Sequence, residues 1–285
     1  MIPEPQRTYL LELLAALGPA ADNFVIAGAQ AIKFAVKDAR GTKDVDFVLN
    51  VIALRAESVQ LDTVLKRLGY TAIAGARNFQ FEKPIPNSRE SMRIEFMAPE
   101  EFKRPADFRV DVQEGIHARA CTGGTIALAE ADEYPLQGGL PDGQSYTANV
   151  RVIRTHALVM LKLLALHDRY HNIRGPAEAR HDREEAQTHA ADVVAVVKAR
   201  PDLAEFKAQF EGQFRSDPEL GKRVSTILSD FFREVSAPGY LLYEEYLAAT
   251  LPTGRATRAE IREESARAYR ILQRILPEVS SGDKR

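Results

Sequence analysis

The chain has 285 residues, of which 45% are hydrophobic and 27% are charged, and its formal net charge is −2 at pH 7. This length is enough for one large domain or two ordinary ones, and the small net charge excludes a protein that is basic over its whole surface. The single cysteine, Cys121, excludes an internal disulfide and fits a reducing cytosol. Neither a signal peptide nor an apolar run of about 18 residues is present, so we expect a cytoplasmic protein without a membrane segment.

The first quarter of the chain predicts alternating helices and strands. Leucines at helical spacing predict a helix over Gln6 to Leu17. The apolar run at Phe24 to Ile26 predicts a strand, and Gly28 then begins a tight turn followed by a second helix. One further amphipathic helix is expected from Ala53 to Leu68.

The middle of the chain predicts a mixed sheet, and the rest predicts helices. Strands are expected at Tyr70 to Ile73, Asn78 to Glu82, Met92 to Met97 and in hairpins from Ile116 to Ile153, with Gly123-Gly124 and Gly138-Gly139 as turns rather than phosphate loops. From Thr155 onward nearly every segment has helical periodicity. We therefore predict an α+β fold, with a mixed-sheet domain over residues 1–154 and a helical bundle over residues 155–285.

The strand that follows the second helix carries two aspartates. Asp44 and Asp46 are separated by one residue, so they project from the same face of a strand. Two carboxylates side by side repel each other, and a divalent cation such as Mg²⁺ removes that penalty while also binding the phosphates of a nucleotide. The alternative is a solvated strand end. The strand, glycine and helix just upstream favour a nucleotide site, because the N-terminus of a helix suits an anion.

The stretch from Asn23 to Asn50 resembles the nucleotidyltransferase superfamily that includes DNA polymerase β, and most closely its AbiEii/AbiGii-type toxins. The family pattern is a hydrophobic strand, a glycine followed by a small residue, a helix, and then R-x-T-x-D-h-D-h, where h is hydrophobic. Gly28-Ala29 matches the first part, and the run from Arg40 to Phe47 matches the second. Ala29 departs from the serine that is frequent in relatives, so it offers no hydroxyl to a phosphate.

The resemblance implies a third acidic residue on a later strand, which together with Asp44 and Asp46 binds two Mg²⁺ ions. Glu95, in an apolar strand, is the preferred match, and Asp111 is the alternative. In relatives this third acid touches only the metal on the acceptor side. Glu95 is therefore expected to help deprotonate the attacking hydroxyl.

The resemblance extends into the helical part, where relatives carry a lysine, an arginine about two turns later, and an aspartate in the next helix. Lys162 is expected to meet the triphosphate; its alternative is a side chain that snorkels to solvent. For Arg169 the alternative is a surface pair with Asp168. The nucleotide-binding residues implied by the resemblance are Gly28, Ala29, Arg40, Thr42, Lys43, Lys162, Arg169 and Asp192.

These observations predict a toxin-like enzyme that moves NMP from an NTP to a hydroxyl of a tRNA or other RNA, or of a protein, with a cognate antitoxin as a partner. Three alternatives stay open. The fold can be retained for binding or regulation without catalysis, or the acceptor can be a small molecule of the aminoglycoside type. The pairs His167-Asp168 and His181-Asp182 would also suit a metal phosphohydrolase, but the charged neighbours of His181-Asp182 predict a solvated surface.

Overall fold

A computed structural model describes residues 2–37, 39–42, 44–103, 108–172, 175–250 and 257–276. The chain divides into two compact units, Met1–Leu158 and Val159–Arg285. The first unit contains the sheet and the second is helical, so the predicted α+β class is confirmed. The predicted domain limits, 1–154 and 155–285, stay a prediction. No helix in the described part of the chain is long and apolar enough to cross a membrane.

The first unit is built on one mixed sheet, in which β2 lies between an antiparallel neighbour, β1, and a parallel neighbour, β5. The strands are β1 Phe24–Ala27, β2 Asp44–Leu49, β3 Thr71–Ala72, β4 Gln80–Pro84, β5 Ser91–Pro99, β6 Arg109–Gln113, β7 Ile116–Cys121, β8 Ala131–Gly139 and β9 Ser145–Ile153. Their order is β3-β4-β5-β2-β1-β9-β8, and β7 joins at β5 and carries β6. The sheet therefore brings together strands that are distant in sequence.

Helices connect these strands and make up the second unit. The first unit contains α1 Gln6–Leu17, α2 Gly28–Ala35, α3 Val51–Ala56, α4 Leu61–Arg67 and α5 Gly124–Ala129. The following helices are α6 Thr155–His171, α7 Ala179–Lys198, α8 Leu203–Ser216, α9 Pro218–Phe232, α10 Pro238–Thr250 and α11 Arg258–Leu272. In the second unit α7 packs against α10 and α11, and α8 packs against α9, which confirms the predicted bundle.

The core of the sheet explains which face is left for polar residues. Phe24, Phe47 and Phe96, on β1, β2 and β5, are buried, and the ring of Phe24 meets the other two edge to face at 5.5 and 5.9 Å between centroids. Successive side chains of a strand point to opposite faces. Because Phe47 and Phe96 point into the core, Asp46 and Glu95 directly before them point to the other face.

The predicted helix from Ala53 to Leu68 is wrong, because the chain forms two helices, α3 and α4, with a break between them. The side chain of Gln113, at the end of β6, fills the break. Its Nε2 donates to the carbonyl oxygens of Leu54 and Val59 at 2.7 and 3.0 Å, and its Oε1 accepts from the backbone N–H of Leu61 at 2.9 Å. A distant side chain thus replaces the backbone hydrogen bonds of a continuous helix.

Two predictions about glycine pairs are also wrong. The pair Gly123-Gly124 was expected to form a turn that leads into a strand, but helix α5 begins at Gly124. Gly123 has φ +80°, and a Cβ on Gly124 would lie 2.8 Å from the Cα of Pro99, so the pair lets the helix pack closely on β5. Gly138 lies inside β8, and the hairpin turns after Gly139.

We expect Gln113→Ala to destabilise the first unit by about 1–3 kcal/mol, because it leaves up to three backbone groups of the helix break without their partner. The midpoint of urea unfolding measures this change. Gln144→Ala is the matched control, because Gln144 is exposed in the β8–β9 turn. Equal midpoints for the two variants would show that the break does not depend on Gln113.

Candidate active site

Two aspartates lie at the start of β2. The side chains of Asp44 and Asp46 share one face of the strand, where Asp44 is exposed and Asp46 is half-buried. Asp46 is in register with Ala27 on β1 and with Glu95 on β5. It therefore lies between the two neighbouring strands, at the point where β1 ends and α2 begins.

Gly28 makes room for the side chain of Asp46. It is the first residue of α2 and has φ +60°, a left-handed conformation that is costly for a residue with a Cβ. A Cβ built on Gly28 would lie 1.7 Å from Oδ2 and 2.6 Å from Cγ of Asp46. Both the backbone and the adjacent carboxylate therefore require glycine. The next residue, Ala29, is 5% exposed and adds no side-chain donor.

Thr42 fixes the loop before β2 to the first aspartate. Its Oγ1 donates to the carbonyl oxygen of Asp44 at 3.4 Å and accepts from the backbone N–H of Asp44 at 3.3 Å. The buried side chain of Gln30, in α2, lies 3.5 Å from the carbonyl oxygen of Thr42 through its Nε2. Helix α2 therefore supports this loop as well as Gly28.

Positive charge close to this loop comes from Arg40 and Lys33. Burial and, after it, the charge of Arg40 lower the pKa of Lys33, so the two cations lie near each other. A phosphate group would relieve that repulsion, but the nucleotide-binding role of Arg40 stays a prediction. Lys43, which the resemblance also implies to be a nucleotide-binding residue of this loop, lies outside the described residues.

Glu95 is held on both of its carboxylate oxygens. Arg119 donates from Nε to Oε1 at 2.6 Å, and Gln80 donates from Nε2 to Oε2 at 2.6 Å. The Glu95 side chain is 15% exposed. Its backbone register places it beside Asp46, so of the two acids offered by the sequence it is Glu95 that adjoins the aspartate strand.

Asp111, the alternative third acid, lies on β6, which pairs with β7 and not with β2. It stands opposite His117 in the register, and its Oδ1 is 3.2 Å from His117 Nε2. Its backbone carbonyl accepts a hydrogen bond from Arg55. The strands β7 and β5 therefore separate Asp111 from β2 in the sheet order.

The acidic side chains of the site meet part of what a divalent cation needs. Among the described residues, no three His, Cys, Asp or Glu side chains are placed to hold one metal ion together. In enzymes that bind nucleotides, Mg²⁺ takes one or two protein carboxylates and completes its shell with phosphate and water. Asp44 and Asp46 supply that number of carboxylates without a third residue. The aspartate pair therefore fits such an ion, and Glu95, whose two oxygens each accept one hydrogen bond, keeps acceptor capacity toward it.

Arg119 and Cys121 are two neighbours of the acids that sequence reasoning did not assign to the site. Burial raises the pKa of the Cys121 thiol to about 11, the charge of Arg119 opposes the rise, and Glu100, Glu95 and Asp46 add to it. The thiol is therefore neutral at physiological pH and is not a nucleophile. For Arg119 the available signal was a lone arginine between two alanines in a strand.

Lys162 is buried and paired. It lies on α6 with its side chain 9% exposed, and its Nζ is 2.8 Å from Oδ2 of Asp192 on α7, which is 3% exposed. The alternative of a snorkelling side chain is therefore wrong. The two residues that the sequence resemblance selected are brought together, and each supplies the countercharge that the other needs when buried.

Arg169 also reaches across to α7. Its Nη1 donates to Oδ1 of Asp182 at 3.1 Å, and Asp182 has a fully buried side chain. The alternative of a surface pair of Arg169 with Asp168 is therefore wrong. The flanking residues Arg180, Arg183 and Glu184 are exposed, as their charges predicted, but Asp182 itself is buried. Asp168 accepts instead from Asn172. In the pair His181-Asp182 of the phosphohydrolase alternative, the aspartate is thus bonded to Arg169.

The strand, glycine turn and helix that lead to two aspartates on the central strand are the arrangement expected of a nucleotidyltransferase. The family model for "Nucleotidyl transferase AbiEii toxin, Type IV TA system" matches residues 10–279. The chain therefore belongs to this family of nucleotidyltransferase toxins, and the predicted recognition and enzyme class are confirmed. Nucleotidyltransferases of this kind typically use a divalent metal ion. A search of curated proteins returned no match.

We expect Gly28→Ala to destabilise the first unit by at least about 1–2 kcal/mol, because the new Cβ is strained at positive φ and collides with Asp46. Chemical unfolding of the full chain measures the change. Gly139→Ala is the control, since a Cβ there meets nothing within 4 Å. An unchanged stability for Gly28→Ala would mean that Asp46 moves away without cost.

Replacing one member of the buried pair should cost more than replacing both. Lys162→Met leaves the Asp192 carboxylate buried without its cation, so we expect a loss of about 3–5 kcal/mol in unfolding free energy. The double variant Lys162→Met/Asp192→Leu should recover most of that loss. A double variant no more stable than Lys162→Met would show that the two charges do not depend on each other.

Proposed function

We propose that this protein is a metal-dependent nucleotidyltransferase that moves NMP from an NTP to a hydroxyl of an RNA, such as a tRNA 3′ end, or of a protein. The observation that carries the proposal is the position of Asp46, which packs against the glycine at the start of α2 and is in register with Glu95. A phosphate bound at this turn would lie next to carboxylates that bind a cation.

In the proposed reaction, the acceptor hydroxyl attacks the α-phosphorus of the NTP and a new phosphorus–oxygen bond forms. The bond from that phosphorus to pyrophosphate breaks, pyrophosphate leaves, and the hydroxyl proton passes to water. A bound divalent ion supplies the positive charge that activates the hydroxyl and neutralises the leaving group. Asp44 and Asp46 would hold Mg²⁺, and the backbone at Gly28-Ala29 would contact the phosphates. The rate gain would come from positioning and electrostatics, as in phosphoryl transfer generally.

The proposal of two ions includes Glu95 as the third ligand. Each Glu95 oxygen accepts one hydrogen bond, from Arg119 or from Gln80, and keeps a second lone pair that could bind an ion. Two ions therefore do not require that Glu95 leave Arg119. Calorimetric titration of the protein with Mn²⁺, with and without a non-reactive NTP analogue, gives the stoichiometry that decides this point.

Further nucleotide contacts are proposed for Arg40, Thr42, Lys162, Arg169 and Asp192. Thr42 has a structural task already, because its hydroxyl bonds to the backbone of Asp44. Asp192 would act through Lys162, whose ammonium it holds at 2.8 Å. The double variant Lys162→Met/Asp192→Leu, which we expect to fold, separates the structural role of Lys162 from its proposed role in nucleotide binding. Nucleotide affinity can then be measured on folded protein that lacks the ammonium.

A non-catalytic, regulatory function is the second candidate, favoured by the ion pair of Glu95 with Arg119 and by the missing hydroxyl at Ala29. Incubating the protein with each of four α-³²P-labelled NTPs and Mg²⁺ distinguishes the candidates. Total RNA, cell protein and an aminoglycoside are supplied as separate acceptors. Label in RNA or protein supports the proposal, label in the aminoglycoside changes the acceptor class, and no label with any acceptor supports the non-catalytic function.

We expect Asp44→Ala and Asp46→Ala each to reduce label transfer by at least about a thousandfold, because each removes a carboxylate that holds the cation. Growth inhibition on expression should be lost in parallel. Asp22→Ala is the matched control, since Asp22 is an exposed aspartate of the same unit. Full transfer by both site variants would reject the aspartate pair as the metal-binding group.

A further inference from the structure

Arg119 lies on the same face of the sheet as the acidic residues. It is on β7 in register with Met97 of β5, which is two residues after Glu95. Paired residues of neighbouring strands share a face, and so do residues two apart on one strand. The register therefore brings the guanidinium to Glu95 from the strand beyond it.

One edge of the Arg119 guanidinium is fixed and the other is open. Nε donates to Glu95 Oε1 at 2.6 Å, and Nη2 lies 3.6 Å from the Sδ of Met97, a weak acceptor. No other described residue accepts a hydrogen bond from Arg119, and its side chain is 40% exposed. Most of its five N–H donors thus remain available to a ligand.

Glu95 is built to hold this orientation. Its second oxygen accepts from Gln80 at 2.6 Å, and Gln80 is its own register partner on β4. The carboxylate is therefore fixed from β4 and β7 at once. A side chain held at both oxygens acts as a rigid support, and the arginine that it supports loses little further freedom when it binds an anion.

The charge around Arg119 also fits an anion that arrives with a cation. Glu95, which Arg119 contacts, is in register with Asp46 on β2. Arg119 therefore lies on the same face of the sheet as both acids. Phosphates approaching Asp44 and Asp46 meet negative charge, and a fixed guanidinium offsets part of it with the bidentate geometry that phosphate oxygens favour.

We propose that Arg119 binds a phosphate group of the nucleotide through its open Nη edge, and that Glu95 is the positioning residue that holds it there. This inference rests on the proposed nucleotidyl transfer and adds a substrate-binding residue on β7. Glu95 then acts through Arg119. An ion pair with a purely structural role would show the same distance between Glu95 and Arg119. In that case, however, replacing Arg119 would not change phosphate binding.

The test is calorimetric titration of the full chain with inorganic tripolyphosphate in MgCl₂, which needs no knowledge of the base. Arg119→Gln should weaken binding by about tenfold or more, since it removes a charged phosphate contact. Arg119→Lys, which keeps the charge without the fork, should restore part of the affinity. Arg67→Gln is the matched control, because Arg67 is exposed at the end of α4.

Two further variants separate binding from folding. Arg119→Gln leaves Glu95 without its cation, so the double variant Glu95→Gln/Arg119→Gln removes both charges. The double variant should bind tripolyphosphate as weakly as Arg119→Gln does. It should unfold at the same denaturant midpoint as wild type. Glu95→Gln alone should weaken tripolyphosphate binding by about threefold, as it loosens Arg119.

The outcomes keep the two proposals apart. Wild-type affinity in both Arg119→Gln and the double variant overturns the inference and leaves the proposed function standing. Weaker tripolyphosphate binding by the double variant than by Arg119→Gln overturns the positioning role, because Glu95 would then act on the phosphate without Arg119. No tripolyphosphate binding by the wild type, with Mg²⁺ present, overturns the inference and the proposed function together.

Discussion

The contact between Gly28 and the carboxylate of Asp46 is the constraint on which the rest of the site depends. It joins the turn after β1 to the strand that carries both aspartates, and it leaves no room for any side chain at the turn. On the other side of Asp46, the parallel register of β2 and β5 sets Glu95 beside it. The helix start, the aspartate pair and the third acid are therefore placed by two strand pairings and one glycine.

Residues on the neighbouring strands β4 and β7 also fix the position of a side chain in the site. Glu95, on β5, is held by residues from β4 and β7, so the position of a single carboxylate depends on three strands of the sheet. In the helical unit, the pairs Lys162–Asp192 and Arg169–Asp182 tie α6 to α7 in the same manner, with an aspartate of α7 buried in each.

The sequence predicted the local features that depend on periodicity and on turn residues. Helix α1, β1 with the turn at Gly28, and β2 from Asp44 all follow from such patterns. What it could not predict were side chains that act from far along the chain. Gln113 breaks a helix more than fifty residues earlier, and Arg119 occupies Glu95 from another strand. No local pattern distinguishes either residue from an ordinary polar side chain on a strand.

The break between α3 and α4 has a consequence for the order in which this protein folds. The three hydrogen bonds that stabilise it come from a residue 52 to 59 positions downstream. While the chain is being synthesised, that glutamine has not yet emerged, and the segment is free to form the single helix that its periodicity favours. Closing such a long loop is slow relative to helix formation. The nascent chain would then pass through a non-native helix, which β6 interrupts on docking.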